Sequence, residues 1–337
     1  MLLIVGVPAN LITMAALKER KADNHEIIVP TITWSSDIMS VLHAGFKPVF
    51  VDIDPHTLGM DWNQVYEKIG KFTKAVFVTH TLGFNALPED APAKLRSVHV
   101  ELIEDCCEAT GATMNEKKLG TFGLASNFSF YYAHHMSTIE GGMVCTDNFA
   151  LYEMLRRLRS HGLVREMSSE EGRNAWHEMN EALDPQFIFA EPAYNVRSTE
   201  INAVIGRSQL RRIDATIAKR TTNLQNWLGM LDADRYTTDY RWQGASNYAL
   251  PLVLREPNHD LMLKVLACLE ENGVEYRRGT AGGGNQLRQP YLRRFFHREY
   301  EKYPQTEHVH FYGLYIGNYP ELKTSQIEEL CTKLNAL

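Results

Sequence analysis

The sequence predicts an α/β fold: a large domain built on a mainly parallel sheet, followed by a smaller α+β domain. Three observations carry this reading. Short apolar runs alternate with helical periods through the first half of the chain. Several of those runs end on a polar residue or a turn, as strands do at the carboxyl edge of an open sheet, where ligands gather. The length of 337 residues, 44% of them hydrophobic, suffices for one large core and a satellite domain.

Taken in order, Met1–Val5 is apolar, lacks a basic leader and soon gives way to Asn10 and Lys18-Glu19-Arg20-Lys21. It reads as a buried strand end rather than a signal peptide. Glu26–Pro30, Pro48–Ile53, Ala75–His80 and Val98–Ile103 are four strands of the sheet. Asp147 is expected to cap a helix in which Leu151, Met154, Leu155 and Leu158 fall at i, i+3, i+4 and i+7, closed by Gly162. From about residue 165 to 190 the chain is polar and lacks a period, so a long excursion is expected. Leu210, Ile213 and Ile217 mark one long helix after Ser198-Thr199, carrying the chain out of a large domain (1–200) into a small one (201–337). Tyr248–Leu254 and Phe311–Ile316 are strands of the small domain.

Composition excludes several classes. A net charge of −6 with both signs interspersed gives no electrostatic case for nucleic acid or an anionic membrane. Arg156, Arg157 and Arg159 cluster on the polar side of their helix and read as a solvated face. No apolar run is long enough to span a bilayer. Five cysteines without a C-x-x-C pair argue against a disulfide framework and against a metal site. The expected compartment is the cytoplasm.

Two segments carry chemistry: Glu104-Asp105-Cys106-Cys107-Glu108-Ala109-Thr110-Gly111-Ala112, and Phe128–Met143 with Ser129 and His134. Together they resemble the cofactor-binding core of the DegT/DnrJ-type sugar aminotransferases, which have the pyridoxal-phosphate (PLP) transferase fold type I. The resemblance covers nearly the whole chain. It implies pyridoxal or pyridoxamine phosphate as cofactor, with Asp105 on the ring nitrogen, Trp34 (in Pro30–Trp34) on the ring, and Ser129 on the phosphate. Tyr194-Asn195-Val196-Arg197 resembles the family's Y-N-x-R segment, so Asn195 would reach the phosphate of a neighbouring subunit in a homodimer. His161, in Arg159–Gly162, matches an R-x-H-G turn. Asn285 and Arg288, in Gly284-Asn285-Gln286-Leu287-Arg288-Gln289-Pro290, match a small-domain segment over the substrate. The preceding glycines lack the Gly-Lys-Ser/Thr of a phosphate loop.

Where most of that family has a lysine bound to the cofactor, this chain has His134. The substitution marks the family's sugar 3-dehydratases, and Glu108, in place of the usual glutamine, is a second mark of that branch. The resemblance therefore implies a lyase acting on a nucleotide-linked 4-keto-6-deoxyhexose in deoxysugar and polysaccharide biosynthesis, with glutamate as amino donor. His134, unable to hold the cofactor covalently, would be base and acid. His135 is expected to point away and serve structure, and Cys106 and Cys107 to pack beneath the cofactor. The iron–sulfur version of such a dehydratase needs four grouped thiolates, and the cysteines here are scattered. The family's G-[ST]-x-A phosphate cup reads Gly6-Val7-Pro8-Ala9, six residues from the start. A shortened N-terminus and a weakened cup are expected, although proline is tolerated at a helix's first position. An aminotransferase and a non-catalytic cofactor-binding homologue are the competing readings.

Overall fold

The predicted strands of the first half join a single sheet in the computed structural model, which describes residues 8–20 and 24–337 together with the backbone of residues 2–4. Its strands are β1 (Leu2–Ile4), β2 (Glu26–Pro30), β3 (Lys47–Val51), β4 (Thr73–Thr79) and β5 (Glu101–Asp105). A short hairpin follows, β6 (Thr113–Met114) and β7 (Lys117–Lys118), outside the sheet. Then come β8 (Ala125–Ser129) and β9 (Gly142–Cys145). The order across the sheet is β1-β9-β8-β5-β4-β2-β3. The pairs from β8 to β3 are parallel, while β9 runs antiparallel to both its neighbours. The carboxyl ends of β2, β4, β5 and β8 therefore share one edge.

Helices cover both faces, which is why the central strands are apolar throughout rather than alternating. On one face α1 (Pro8–Glu19), α2 (Ser35–His43) and α5 (Phe149–Leu158) bury Ile12, Ile38 and Leu155 against Ile27, Phe77 and Ile103. On the other, α3 (Trp62–Lys68) and α4 (Ala91–Ser97) bury Val65 and Leu95 against Val76 and Val78. Pro8 opens α1 at the first position, where a missing N–H costs nothing. Gly6 and Val7 lie outside the described residues.

Several boundaries differ from expectation for local reasons. β5 begins at Glu101, not Val98, because Val100 closes a turn onto Leu95 and His99 takes a left-handed backbone (φ 56°). The cap of α5 is Asn148, whose side chain accepts from the Leu151 N–H, rather than Asp147. Gly162 is indeed required after that helix: its φ is +79°, and a Cβ there would lie 2.2 Å from the Glu191 carbonyl oxygen. Arg157 is not solvated; it is buried and paired with Glu191, tying the helix to the returning chain. The excursion after residue 165 contains a helix of its own, α6 (Glu170–Met179), capped by Ser169.

The long helix expected near residue 210 is two. α7 (Glu200–Leu210) and α8 (Ile213–Met230) are separated at Arg211-Arg212. After α8 a three-stranded sheet forms in the order β10-β12-β11, from β10 (Ala249–Val253), β11 (Tyr276–Arg278) and β12 (Gly313–Gly317). Phe311 and Tyr312 belong not to the last strand but to the helix before it. The accompanying helices are α9 (His259–Glu271), α10 (Pro290–Arg293), α11 (Pro304–Tyr312) and α12 (Thr324–Asn335). The core of this sheet, centred on Trp227 and Tyr236, runs on to Ile32, Leu82 and Phe84 of the first half, whereas Leu292 of α10 joins the core of the large sheet.

Candidate active site

At the shared carboxyl edge of the large sheet lies a cavity of about 360 Å³. It gathers Trp34, Asp105, Glu108, Ser129 and His134, which are far apart in sequence. Topology explains the convergence. Asp105 is the last residue of β5 and Ser129 the last of parallel β8, so both stand at the same rim. Trp34 precedes α2 and leaves half its surface open at the mouth (53%). Tyr248, just before β10, and Tyr315 of β12 complete the lining from the three-stranded sheet.

Asp105 is buried (4% exposed), and its Oδ1 accepts the Cys107 N–H at 2.8 Å. Its Oδ2 accepts from Asn10 Nδ2 at 3.1 Å, reaching across from α1. Glu108 is fixed by the Leu82 N–H, 2.7 Å from its Oε2. Burial pushes its pKa up to about 8, the Leu82 N–H opposing and Asp105 assisting, so the carboxyl is neutral at pH 7.

His134 sits in a tight turn, its N–H donating to the Tyr131 carbonyl, and its ring centre is 5.2 Å from that of Tyr248. Its Nδ1 is buried and has no partner among the described residues. Burial lowers its pKa to about 4, against the pull of the Asp105 charge, which leaves a neutral imidazole able to accept a proton. His135 faces elsewhere: its Nε2 lies 3.1 Å from Ser246 Oγ, and that hydroxyl donates to the Thr110 carbonyl. Cys106 is buried in the core, whereas Cys107 lines the cavity. His80, Glu104 and Cys106 also come close together, but the Glu104 oxygens are occupied by the N–H groups of Gly120, Phe122 and Gly123.

Four of the residues expected around the site do not line this cavity within one chain. Asn195 is exposed and bridged to Ser160, and the His161 N–H donates to the Tyr194 carbonyl, so the two lie side by side on paired segments. Asn285 is buried, its Nδ2 donating to Glu307 Oε1 at 2.8 Å. Arg288 donates to the same carboxylate through Nε at 2.8 Å and through Nη2, with its guanidinium over the rings of Tyr300 and Phe311. Sequence reasoning also missed residues the structure brings in. Asn10 had a signal, since it follows the glycine-containing motif directly. Asp37 stands in no motif the sequence offers, and Tyr248 and Tyr315 fall within predicted strands.

A buried carboxylate facing an apolar, aromatic cavity, with a proton-accepting histidine nearby and an open aromatic ring at the mouth, defines a site for a flat, cationic ring and acid–base chemistry on it. The chain belongs to the DegT/DnrJ/EryC1/StrS aminotransferase family, whose model matches residues 5–335. Among curated relatives, GDP-4-keto-6-deoxy-D-mannose 3-dehydratase of Yersinia pseudotuberculosis is 31% identical over 332 residues, covering 96% of this chain and 84% of the relative. The structure of the Escherichia coli enzyme of that name with bound hydrated PLP superposes with a TM-score of 0.84 at 28% identity, covering 99% and 87% of the two chains. A further structure of such a dehydratase, with a trapped PLP-glutamate geminal diamine, gives a TM-score of 0.84 at 28% identity over 98% and 87%. The fold is thus that of the PLP-dependent sugar aminotransferases and dehydratases.

Proposed function

We propose that this chain is a PLP-dependent 3-dehydratase of a nucleotide-linked 4-keto-6-deoxyhexose, with glutamate as amino donor. It would act in the cytoplasm, in deoxysugar biosynthesis for surface polysaccharide. The observation that carries the reading is His134: a neutral imidazole with an unpartnered buried nitrogen lines the cavity, where the family's aminotransferases have a lysine. The cavity's residues fit the cofactor. Asp105 would hold the ring nitrogen, Trp34 the ring and Ser129 the phosphate, with Glu108 close to Asp105. Gly6 of the N-terminal motif, and Asn195 of a partner subunit, would complete the phosphate site.

When bound, the cofactor in its amine form supplies the nitrogen that joins the keto carbon and an electron sink beside it. The protein does the rest. Asp105, oriented by the Asn10 amide and the Cys107 N–H, would pair with a protonated ring nitrogen. His134 takes up a proton as the neutral base and, as imidazolium, returns it to the hydroxyl leaving carbon three. Because histidine forms no covalent link, the product departs by hydrolysis rather than as an amino sugar. Tyr248 and Tyr315 restrict water from the small-domain side. The segments that carry His161, Asn285 and Arg288 would supply the substrate side of the site, Arg288 by shaping its segment through Glu307.

The test uses purified protein with pyridoxal phosphate. Adding glutamate should convert the aldehyde absorbance band to the amine band. GDP-4-keto-6-deoxymannose, heading a panel of nucleotide 4-keto sugars, should then yield a 3-deoxy-4-keto sugar and ammonia. An amino sugar product would establish the aminotransferase reading, and no spectral change with glutamate would favour a non-catalytic homologue.

A further inference from the structure

Behind Asp105 lies a second buried carboxyl, Asp37, that the reaction outlined above does not use. It stands in the first turn of α2 and is 1% exposed. Asn10 joins the two acids: its Nδ2 is 2.6 Å from Asp37 Oδ1 and 3.1 Å from Asp105 Oδ2. That amide is itself oriented, since its Oδ1 accepts from Asn127 Nδ2, and Asn127 Oδ1 accepts from Thr13 Oγ1. The arrangement places two carboxyl groups in one buried site with no ion-pair partner for either among the described residues. Two adjacent carboxylates in such a site cannot both ionise cheaply.

The hydrogen count says which one keeps the proton. Asp37 Oδ2, Thr33 Oγ1 and Thr79 Oγ1 form a closed triangle of oxygens. The Thr33–Thr79 contact is 2.7 Å and the Thr79–Asp37 contact 2.6 Å, and the third side is also within hydrogen-bonding distance. Three O···O contacts need three hydrogens, and two threonine hydroxyls supply only two. The third must come from the Asp37 carboxyl. Asp105 accepts from the Cys107 N–H and the Asn10 amide, and its carboxyl also meets that of Asp37, toward which it can only accept if Asp37 holds the proton.

We infer that Asp37 is a positioning residue: it holds a proton at neutral pH, so that the pair carries a single negative charge and that charge rests on Asp105. Burial, and secondarily the Asp105 charge, push the Asp37 pKa well above the usual carboxylate range, in agreement with the count. The other titratable groups facing it are the Cys107 thiol and the Tyr291 phenol, both of which stay neutral at pH 7. Asp37 thus acts through Asp105, and its effect on the cofactor rests on the assignment of Asp105 to the ring nitrogen.

The first measurement uses the cofactor-free, full-length protein labelled with carboxyl-carbon-13 aspartate. At pH 7 one protonated aspartate carboxyl should be present by infrared or carbon-13 spectroscopy and absent from Asp37→Asn. Should that variant not fold, Asp105→Asn provides the second arm: without the neighbouring charge, the signal should titrate at lower pH than in wild type. No protonated carboxyl at pH 7, or a midpoint unmoved in Asp105→Asn, overturns the proposal. In protein loaded with pyridoxal phosphate, the cofactor absorbance should change with pH through the same titration in wild type and stay flat in Asp37→Asn. A profile identical in both would reduce Asp37 to a structural residue. If neither protein binds pyridoxal phosphate, the cofactor reading fails while the protonation result stands.

Discussion

The cavity and the flank beside it are built on opposite terms. Around Asp105 a single chain finishes the job: polar groups are buried, bonded and aimed by strands of one sheet. Along residues 165–210 it does not. α6 and α7 bury no residue, and Ile201 and Val204 of α7 stand 73% and 66% exposed. The Y-N-x-R segment lies in the same stretch, with Asn195 exposed. Apolar helix faces left in water mark an interaction surface. The contrast supports the proposed division of the site, with the ring held by one copy and the phosphate end completed by Asn195 of a second. The homodimer proposed from the Y-N-x-R resemblance thus gains an independent physical reason.

The largest effect is expected from breaking the cavity. His134→Gln should lower dehydration on the order of 10²–10⁴-fold, the usual worth of a positioned acid–base group, while pyridoxal phosphate still binds. His134→Lys should acquire covalent cofactor on borohydride reduction, and wild type should not. Covalent trapping in wild type would mean that another lysine holds the cofactor and that the histidine reading is wrong.

Breaking the flank comes next. Ile201→Asp with Val204→Asp places two charges where about 1.5–3 kcal/mol of apolar burial per side chain is expected. Sedimentation should show a dimer in wild type and a monomer in the variant. Cofactor affinity should fall with dimerisation, because the partner subunit's Asn195 is withdrawn. A variant that remains dimeric would place the interface elsewhere.

The same contrast governs what the sequence revealed. The strands were legible because periodicity is local, and Asp105, Ser129 and His134 stood out because they fall within short motifs. Asp37 did not, because an acid in a helix's first turn ordinarily serves the helix dipole, and only the tertiary approach of Asn10, Thr79 and Asp105 alters its chemistry. Arg157 read as solvated because its partner, Glu191, is 34 residues away across a segment with no period. The break between α7 and α8 was hidden because Leu210, Ile213 and Ile217 keep helical spacing across Arg211-Arg212.

A smaller effect follows from Glu108. Its pKa of about 8 lies above that of a free carboxyl, so the neutral form prevails through pH 7. The stability it contributes is complete below the unfolded value and is lost as pH rises through about 8. Activity should therefore fall above that point, by about tenfold for each further pH unit if the neutral acid is required. Glu108→Gln, fixed in the neutral state, should keep near-normal activity at pH 7 and lose this alkaline limb. A wild-type profile level to pH 9 would remove the carboxyl from the working site.

The smallest effect concerns Arg288, which decides how far the single-chain half extends into the small domain. The segment expected over the substrate is held by Glu307, which receives Asn285 Nδ2 and two Arg288 nitrogens. Neutralising one partner of such a part-buried, charge-assisted pair costs about 1.5–3 kcal/mol. If the pair only shapes the segment, Arg288→Gln and Glu307→Gln should lower Tm alike, and the double variant should lose less than the sum. KM for the nucleotide sugar would then change by no more than about threefold, under 1 kcal/mol. If Arg288 instead exchanges Glu307 for the substrate's diphosphate, Arg288→Gln should raise KM more than tenfold, while Glu307→Gln lowers it by freeing the guanidinium. The pairing with Glu307 and the stacking on Tyr300 and Phe311 favour the first outcome, because a substrate contact would have to displace a carboxylate already matched to the guanidinium's geometry.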